Sequence, residues 1–309
     1  MKRIMQAGWM IGRTSLSLII LSTAIIFFTF FGMKMAANWR GPDPGYHLAS
    51  TLEATWDSST AFFQKALRGD LGMTQMVSGE QPINELLVSY YQNSLGLLGI
   101  SLAIAAVLGI LLGGFAALTA HRRWEYLILI LTLLGVSAPS FFLAVLLQNL
   151  GIKYTLFFGN RLVSMGGYAW DFKHLAMPVI ILTARPLAHI TRVTFINLTE
   201  IMGEDYIRTA YSKGLRGYRT VIFHGLRNLA VSVLTSIGVS LRFSITILPV
   251  VEFIFAWPGL GRGALEGIRN QRPVLVVAIA LAIGLTIELI NSLLNGLYPW
   301  IDPRLRKEL

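Results

Sequence analysis

Two ionisable side chains, Arg242 and Glu288, stand inside long apolar runs and carry the strongest chemical demand in the chain. A charge at such depth is costly unless it faces protein or a water-filled path, which makes each a candidate for lining a translocation path. A guanidinium there suits an acidic solute, a carboxylate suits a cationic one, and the two together suit a peptide. Both are also explained as one structural pair, or as pairs with another subunit. Arg185 and His189 lie in a further apolar run, where a shifted boundary would bring either near the headgroups. Other chemistry is sparse. His47, His121, His174, His189 and His224 are scattered without the spacing of a metal site, so no metal is expected. The chain has no cysteine, which excludes disulfides and thiolate chemistry. It has no Walker A glycine-lysine motif and so is not itself an ATPase.

The elements that must position these charges are membrane spans. Of 309 residues, 54% are hydrophobic and 14% charged, with a mean hydropathy of +0.60. Soluble domains are usually about a quarter charged. A span needs roughly 20 predominantly apolar residues, and six runs qualify, near 14–33, 93–118, 125–150, 175–198, 229–250 and 274–298. The expected fold class is therefore an all-α polytopic membrane protein with six transmembrane helices. Pro139, between Ser137 and Ser140, should kink or break the third span. Gly109, Gly113 and Gly114 would let the second approach a neighbour closely.

Basic residues set the orientation. With the N-terminus cytoplasmic, fourteen Lys and Arg fall inside, among them Lys2, Arg3, Arg122, Arg123 and the cluster from Arg192 to Arg227. Ten, mixed with acids, fall outside. Both termini are then cytoplasmic. The net charge of +10 suits anionic lipid, and no groove of interleaved aromatic and basic residues suggests nucleic acid. Lys2-Arg3 before an apolar run resembles a signal peptide, but the run is long and without a clear cleavage pattern, as in an uncleaved first span.

The main hydrophilic region, 34–92, opens on the turn-rich Gly41-Pro42-Asp43-Pro44-Gly45. A helix follows over about 49–67, with Leu48, Leu52, Trp56, Phe63 and Leu67 clustered on one side. That stripe suits the outer membrane surface or a docking surface for an external partner. After the turn Gly69-Asp70-Leu71-Gly72, a helix from Ile83 leads into span two, and the short link His121–Trp124 makes spans two and three a tight hairpin. The chain divides into residues 1–92, a span plus external loop region, and 93–309, the transmembrane core. The loop 151–174 shows little chemistry.

Residues 200–222 form a basic, helix-prone segment leading into a span that ends at the turn Trp257-Pro258-Gly259-Leu260-Gly261. Ala210 and Gly214 are four apart and share a helix face, while Gly214 also suits a helix end. The plain alternative is a basic loop that only sets topology. The run Asp205-Tyr206-Ile207-Arg208-Thr209-Ala210, with Lys213-Gly214-Leu215 after it, resembles the coupling loop of permease subunits of ABC importers, in the dipeptide, oligopeptide and nickel branch. His224, Leu226-Arg227-Asn228, Ile237-Gly238, Glu252, Phe255, Trp257 to Gly261, Asp302-Pro303-Arg304 and Gly69 to Gly72 extend the resemblance over nearly the whole chain.

The resemblance implies a type I ABC importer permease fold, alternating access and an inner-membrane location. Asp205, Tyr206, Arg208, Thr209, Ala210, Lys213, Gly214 and Leu215 would be the coupling positions that meet an ATPase. Trp257, Pro258, Gly259 and Gly261 would form a structural turn. The implied partners are a second homologous permease, two ATP-binding-cassette subunits carrying ATP and Mg, and an external or periplasmic substrate-binding protein. This chain would hold no cofactor. Peptides lead as cargo; nickel or another small solute is the alternative within the branch, and a standalone secondary transporter the alternative outside it. Two departures stand out: Ser232 where the branch commonly has proline, and Arg242 where relatives usually carry small or apolar residues.

Overall fold

The computed structural model describes residues 2–40, 48–76, 79–119, 126–128, 130, 132, 135, 137–213 and 227–301. Its elements are α1 (Lys2–Arg40), α2 (Leu48–Leu67), β1 (Met73–Met76), β2 (Gly79–Pro82), α3 (Ile83–Leu118) and α4 (Ser140–Phe158). They continue with α5 (Phe172–Gly203), α6 (Asp205–Ser212), α7 (Arg227–Ile254), α8 (Leu260–Arg269) and α9 (Pro273–Ile301). Six of these, α1, α3, α4, α5, α7 and α9, are long and apolar enough to cross a membrane. Among the described residues the fold is all-α apart from one small antiparallel hairpin, in which Met73 pairs with Pro82 and Met76 with Gly79. No alternation in the sequence announced those two strands.

The third span differs from its expected bounds of 125–150. Residues 126–128 are helical, but Pro139 takes φ −60° and ψ 130°, and α4 starts after it. Proline lacks the N–H needed to continue a helical ladder, so the run breaks there. The helix then passes the expected outer edge and stops at Gly159, which takes the left-handed φ of 71° and donates its N–H to Thr155 O. The lead-in from Ile83 and span two are one continuous helix.

The chain forms two compact units, Met1–Ser94 with Pro258–Asn295, and Leu95–Trp257 with Gly296–Leu309. In the first, Ile26, Phe30, Phe62, Ile83, Tyr90 and Ile279 build the core. Phe30 and Phe62 meet edge to face at 5.9 Å, a geometry worth about 0.5–1.5 kcal/mol beyond burial. The inward face of α2 is Thr51, Thr55 and Phe62, tied to α1 by Asn38 Nδ2 donating to Thr51 Oγ1 at 2.8 Å and Lys34 Nζ to Ala54 O at 2.6 Å. Leu48, Leu52, Trp56, Phe63 and Leu67 are all exposed, so the expected apolar stripe faces away from its own unit. Gly69 and Gly72 take φ of 76° and 82°, and the Gly72 N–H bonds Asp70 Oδ1 at 2.8 Å. That left-handed pair explains why the turn is written with glycine.

In the second unit, α5 is the central helix. It starts at Asp171, whose carboxylate accepts from the His174 N–H at 2.9 Å. That backbone bond, then the His174 ring, holds the Asp171 carboxyl below the usual range. Gly109 and Gly113 of α3 lie against α5: a Cβ on Gly109 would come within 2.8 Å of Ile190 Cγ2, and one on Gly113 within 2.6 Å of Thr194 Cβ and against Thr191 O. Small residues one turn apart let two backbones approach to this degree. Polar bonds add to the packing. Thr183 Oγ1 donates to Ser101 O at 3.1 Å, and Ser232 Oγ of α7 donates to Asn197 Oδ1 at 3.0 Å. The departure at Ser232 thus has a role here: its hydroxyl links α7 to α5.

Candidate functional site

α6 is an eight-residue helix set off from α5 by one extended residue. Glu204 takes φ −71° and ψ 149°, and its carbonyl accepts from the N–H groups of Ile207 at 3.0 Å and Arg208 at 3.3 Å. Thr209 Oγ1 and Ser212 Oγ bond back to Asp205 O and Arg208 O at 2.9 and 3.0 Å. Ile207 is fully buried, whereas Asp205, Tyr206, Arg208, Thr209, Ser212 and Lys213 are exposed. One apolar side chain therefore anchors a helix whose other described side chains point outward. Asp205 and Arg208 approach to 3.7 Å at 98% and 75% exposure, a pair that contributes about 0–1 kcal/mol.

Of the expected coupling residues, Asp205, Tyr206, Arg208, Thr209 and Ala210 lie on α6, and Lys213 follows it. Lys213 N–H still donates to Thr209 O at 3.1 Å. Gly214 and Leu215 lie outside the described residues, as do the His121–Trp124 link and Asp302 to Arg304. The corner at Glu204 and the anchor Ile207 were not singled out from sequence, although Ile207 is the one aliphatic residue among polar neighbours from Glu204 to Thr209.

The other end of α7 is closed by an arrangement of the Schellman type. Trp257 N–H donates to Glu252 O at 2.8 Å and Ala256 N–H to Phe253 O at 3.3 Å, with Ala256 at φ 55°. Gln148 Nε2 reaches Ile254 O at 3.0 Å and Gly167 N–H reaches Phe255 O at 2.9 Å, so the last carbonyls of the helix are met. Trp257 is fully buried and stands edge to face with Tyr168 at 5.0 Å and Trp170 at 5.1 Å. In the first unit, Asn93 Nδ2 donates to Pro258 O at 2.9 Å and Leu260 N–H to Ser94 Oγ at 2.8 Å. Gly259 is extended at the start of α8, and Gly261 is buried in that helix's first turn.

The charged span residues lie on different helices. Glu288 lies on α9, where Ser17 Oγ of α1 donates to its Oε1 at 2.9 Å. Arg242 lies on α7 with its side chain exposed. The neighbouring Phe243 ring carries the guanidinium of Arg185, from α5, at 5.7 Å from its centroid. The packing of α5 on α7 thus carries Arg185 to the residue after Arg242. Among the described residues, no three His, Asp or Glu side chains gather to hold a metal ion.

Comparison with known proteins agrees with this geometry. Residues 109–307 match the family described as the binding-protein-dependent transport system inner membrane component. The chain is 30% identical to the oligopeptide transport system permease protein OppB of Haemophilus influenzae over 295 residues, covering 91% of this chain and 94% of the relative. It is 29% identical to the dipeptide transport system permease protein DppB of Escherichia coli K12, covering 89% of each. It is 31% identical to the glutathione transport system permease protein GsiC of Escherichia coli O6:H1 over 79% of this chain and 78% of the relative. With six apolar spans and a match over most of its length, this chain belongs to the family of inner-membrane permease components of binding-protein-dependent ABC importers.

Proposed function

We propose that this permease subunit imports di- or oligopeptides handed over by an external binding protein, and that α6 is the helix through which separate ATPases drive it. The observation that carries the proposal is α6: a short helix with an outward polar face, one buried anchor and a one-residue corner joining it to a span. ATP hydrolysis takes place on the separate ABC subunits, and this chain is not an enzyme. The cargo reading is supported by relatives named for oligopeptide, dipeptide and glutathione, all peptides.

In this reading Asp205, Tyr206, Arg208, Thr209, Ala210 and Lys213, with Gly214 and Leu215 beyond the described helix, enter a groove on an ATP-binding-cassette subunit. Two such subunits carry ATP and Mg and close on nucleotide. The bonds at Glu204 pass that movement into α5, and the packing of α3 and α7 on α5 converts it into alternating access. A second homologous permease completes the membrane part, with residues 93–309 of this chain as its core and 1–92 as an N-terminal span plus external loop region. Both termini and α6 face the cytoplasm, by the bias of basic residues.

The function is tested by reconstituting the complex in proteoliposomes with its binding protein. Labelled peptide should accumulate only with ATP on the ATPase side; ATP-independent uptake would reject the coupling. Sidedness is tested by single cysteines, which the cysteine-free chain permits without background. Ser164 is half-buried and bonded to Gly166 O, so the exposed Asn160 is the better outer site. Asn160→Cys should react with an impermeant maleimide in intact cells and Ser212→Cys only after lysis. Labelling of Ser212→Cys from outside would invert the topology.

A further inference from the structure

We infer that Arg185 and Arg242 form one carboxylate-binding station within the spans, and that it receives the terminal carboxylate of the peptide cargo. This rests on the peptide-importer reading. Depth comes first. At 1.5 Å per residue, Arg185 stands ~20 Å from the Phe172 end of α5, and Arg242 ~22 Å from Arg227 and ~18 Å from Ile254 on α7. A hydrocarbon core is about 30 Å thick, so both side chains leave the backbone well inside it.

Adjacency comes second. The Arg185 guanidinium lies over the Phe243 ring at 5.7 Å, and Phe243 follows Arg242 directly on the exposed side of α7. Arg185 thus reaches the stretch of α7 that carries Arg242, and both side chains are exposed. A guanidinium held by its face against a ring keeps its in-plane N–H donors for another group.

The third observation is what the two side chains lack. The ion pairs among the described residues are His174 with Asp171, Arg208 with Asp205, and Arg262 with Glu266, and neither Arg185 nor Arg242 takes part. Both guanidiniums are exposed, so each can take a carboxylate from outside the described residues. Two planar donor forks match a carboxylate and repel a cation. The peptide cargo supplies that carboxylate in every molecule imported. The competing source, an acidic side chain of the second permease, would hold the charge in a fixed pair.

The test compares trialanine with trialanine amide in proteoliposomes of the whole complex, each at a concentration that saturates the binding protein in a separate titration. Wild type should import the free acid about tenfold faster than the amide, the factor expected for losing a charge-assisted hydrogen bond. Arg185→Met and Arg242→Met should each slow the acid by about threefold and leave the amide unchanged, and together, the two losses multiplying to about tenfold, remove the preference. Lysine at either position should retain part of it, since charge stays and the fork is lost. Equal import of acid and amide by wild type overturns the station. So does equal slowing of both peptides in the methionine variants, the signature of a broken pair with the second permease. Should the methionine variants fail to assemble, the wild-type ratio and the lysine variants decide. Wild type importing neither peptide rejects the peptide-importer reading itself.

Discussion

Replacing Gly113 with leucine should abolish assembly of the permease, while the same change at Gly114 should be tolerated. The two residues are adjacent on α3, yet their surroundings differ. A Cβ on Gly113 runs against Thr191 O and lies 2.6 Å from Thr194 Cβ and 2.9 Å from its Cγ2, whereas one on Gly114 meets nothing within 4 Å. The obstruction at Gly113 includes helix backbone, so no side-chain rotation relieves it and α3 must move away from α5. Overpacking by a methylene or two costs about 1–3 kcal/mol where neighbours can adjust, and leucine against backbone exceeds that. Membrane helices also gain no aqueous hydrophobic drive for their mutual contact, so close packing is what joins them. Gly114→Ala should even be slightly stabilising, by about 0.5–1 kcal/mol, because it removes a flexible residue from a helix interior. Accumulation in the membrane and the thermal midpoint of the detergent-purified complex are the readouts. Equal behaviour of Gly113→Leu and Gly114→Leu would show that the α3–α5 crossing is not held at this glycine.

The second large effect is expected at Ile207. Truncating a buried isoleucine to alanine costs about 2–5 kcal/mol. Isolated helices shorter than about 12–15 residues are already marginal, and α6 spans Asp205–Ser212. Ile207→Ala should therefore loosen α6 while leaving the six spans inserted, because Ile207 lies on α6 and not on a span. Peptide uptake per ATP hydrolysed should fall about tenfold or more, with the permease still recovered in the membrane. Ile207→Val, which removes one methyl and costs about 0.5–1.5 kcal/mol, should keep most of the coupling. Ser212→Ala serves as the control, since Ser212 is exposed and its hydroxyl bonds to Arg208 O of its own helix. A wild-type ratio of uptake to hydrolysis in Ile207→Ala would remove α6 from the drive train.

The sequence alone determined the six spans, the helical lead-in at Ile83, the break at Pro139 and the outward apolar stripe of α2. Each of these is local: a run of apolar residues, a missing N–H or a helical period needs no knowledge of distant chain. The short helix at Asp205 was legible as part of the helix-prone run 200–222, whereas its buried anchor Ile207 was not. Tertiary structure alone decided which side of each span meets protein. In a membrane the lipid-facing side is as apolar as the packed side, so hydropathy does not separate them. Gly113 and Gly114 look alike in sequence and differ only because α5 crosses α3 at one of them. Arg185 and Phe243 are far apart along the chain, and their contact follows from the register of α5 against α7. That register is set by side-chain interlock across the two helices, a property of the pair that neither segment encodes by itself.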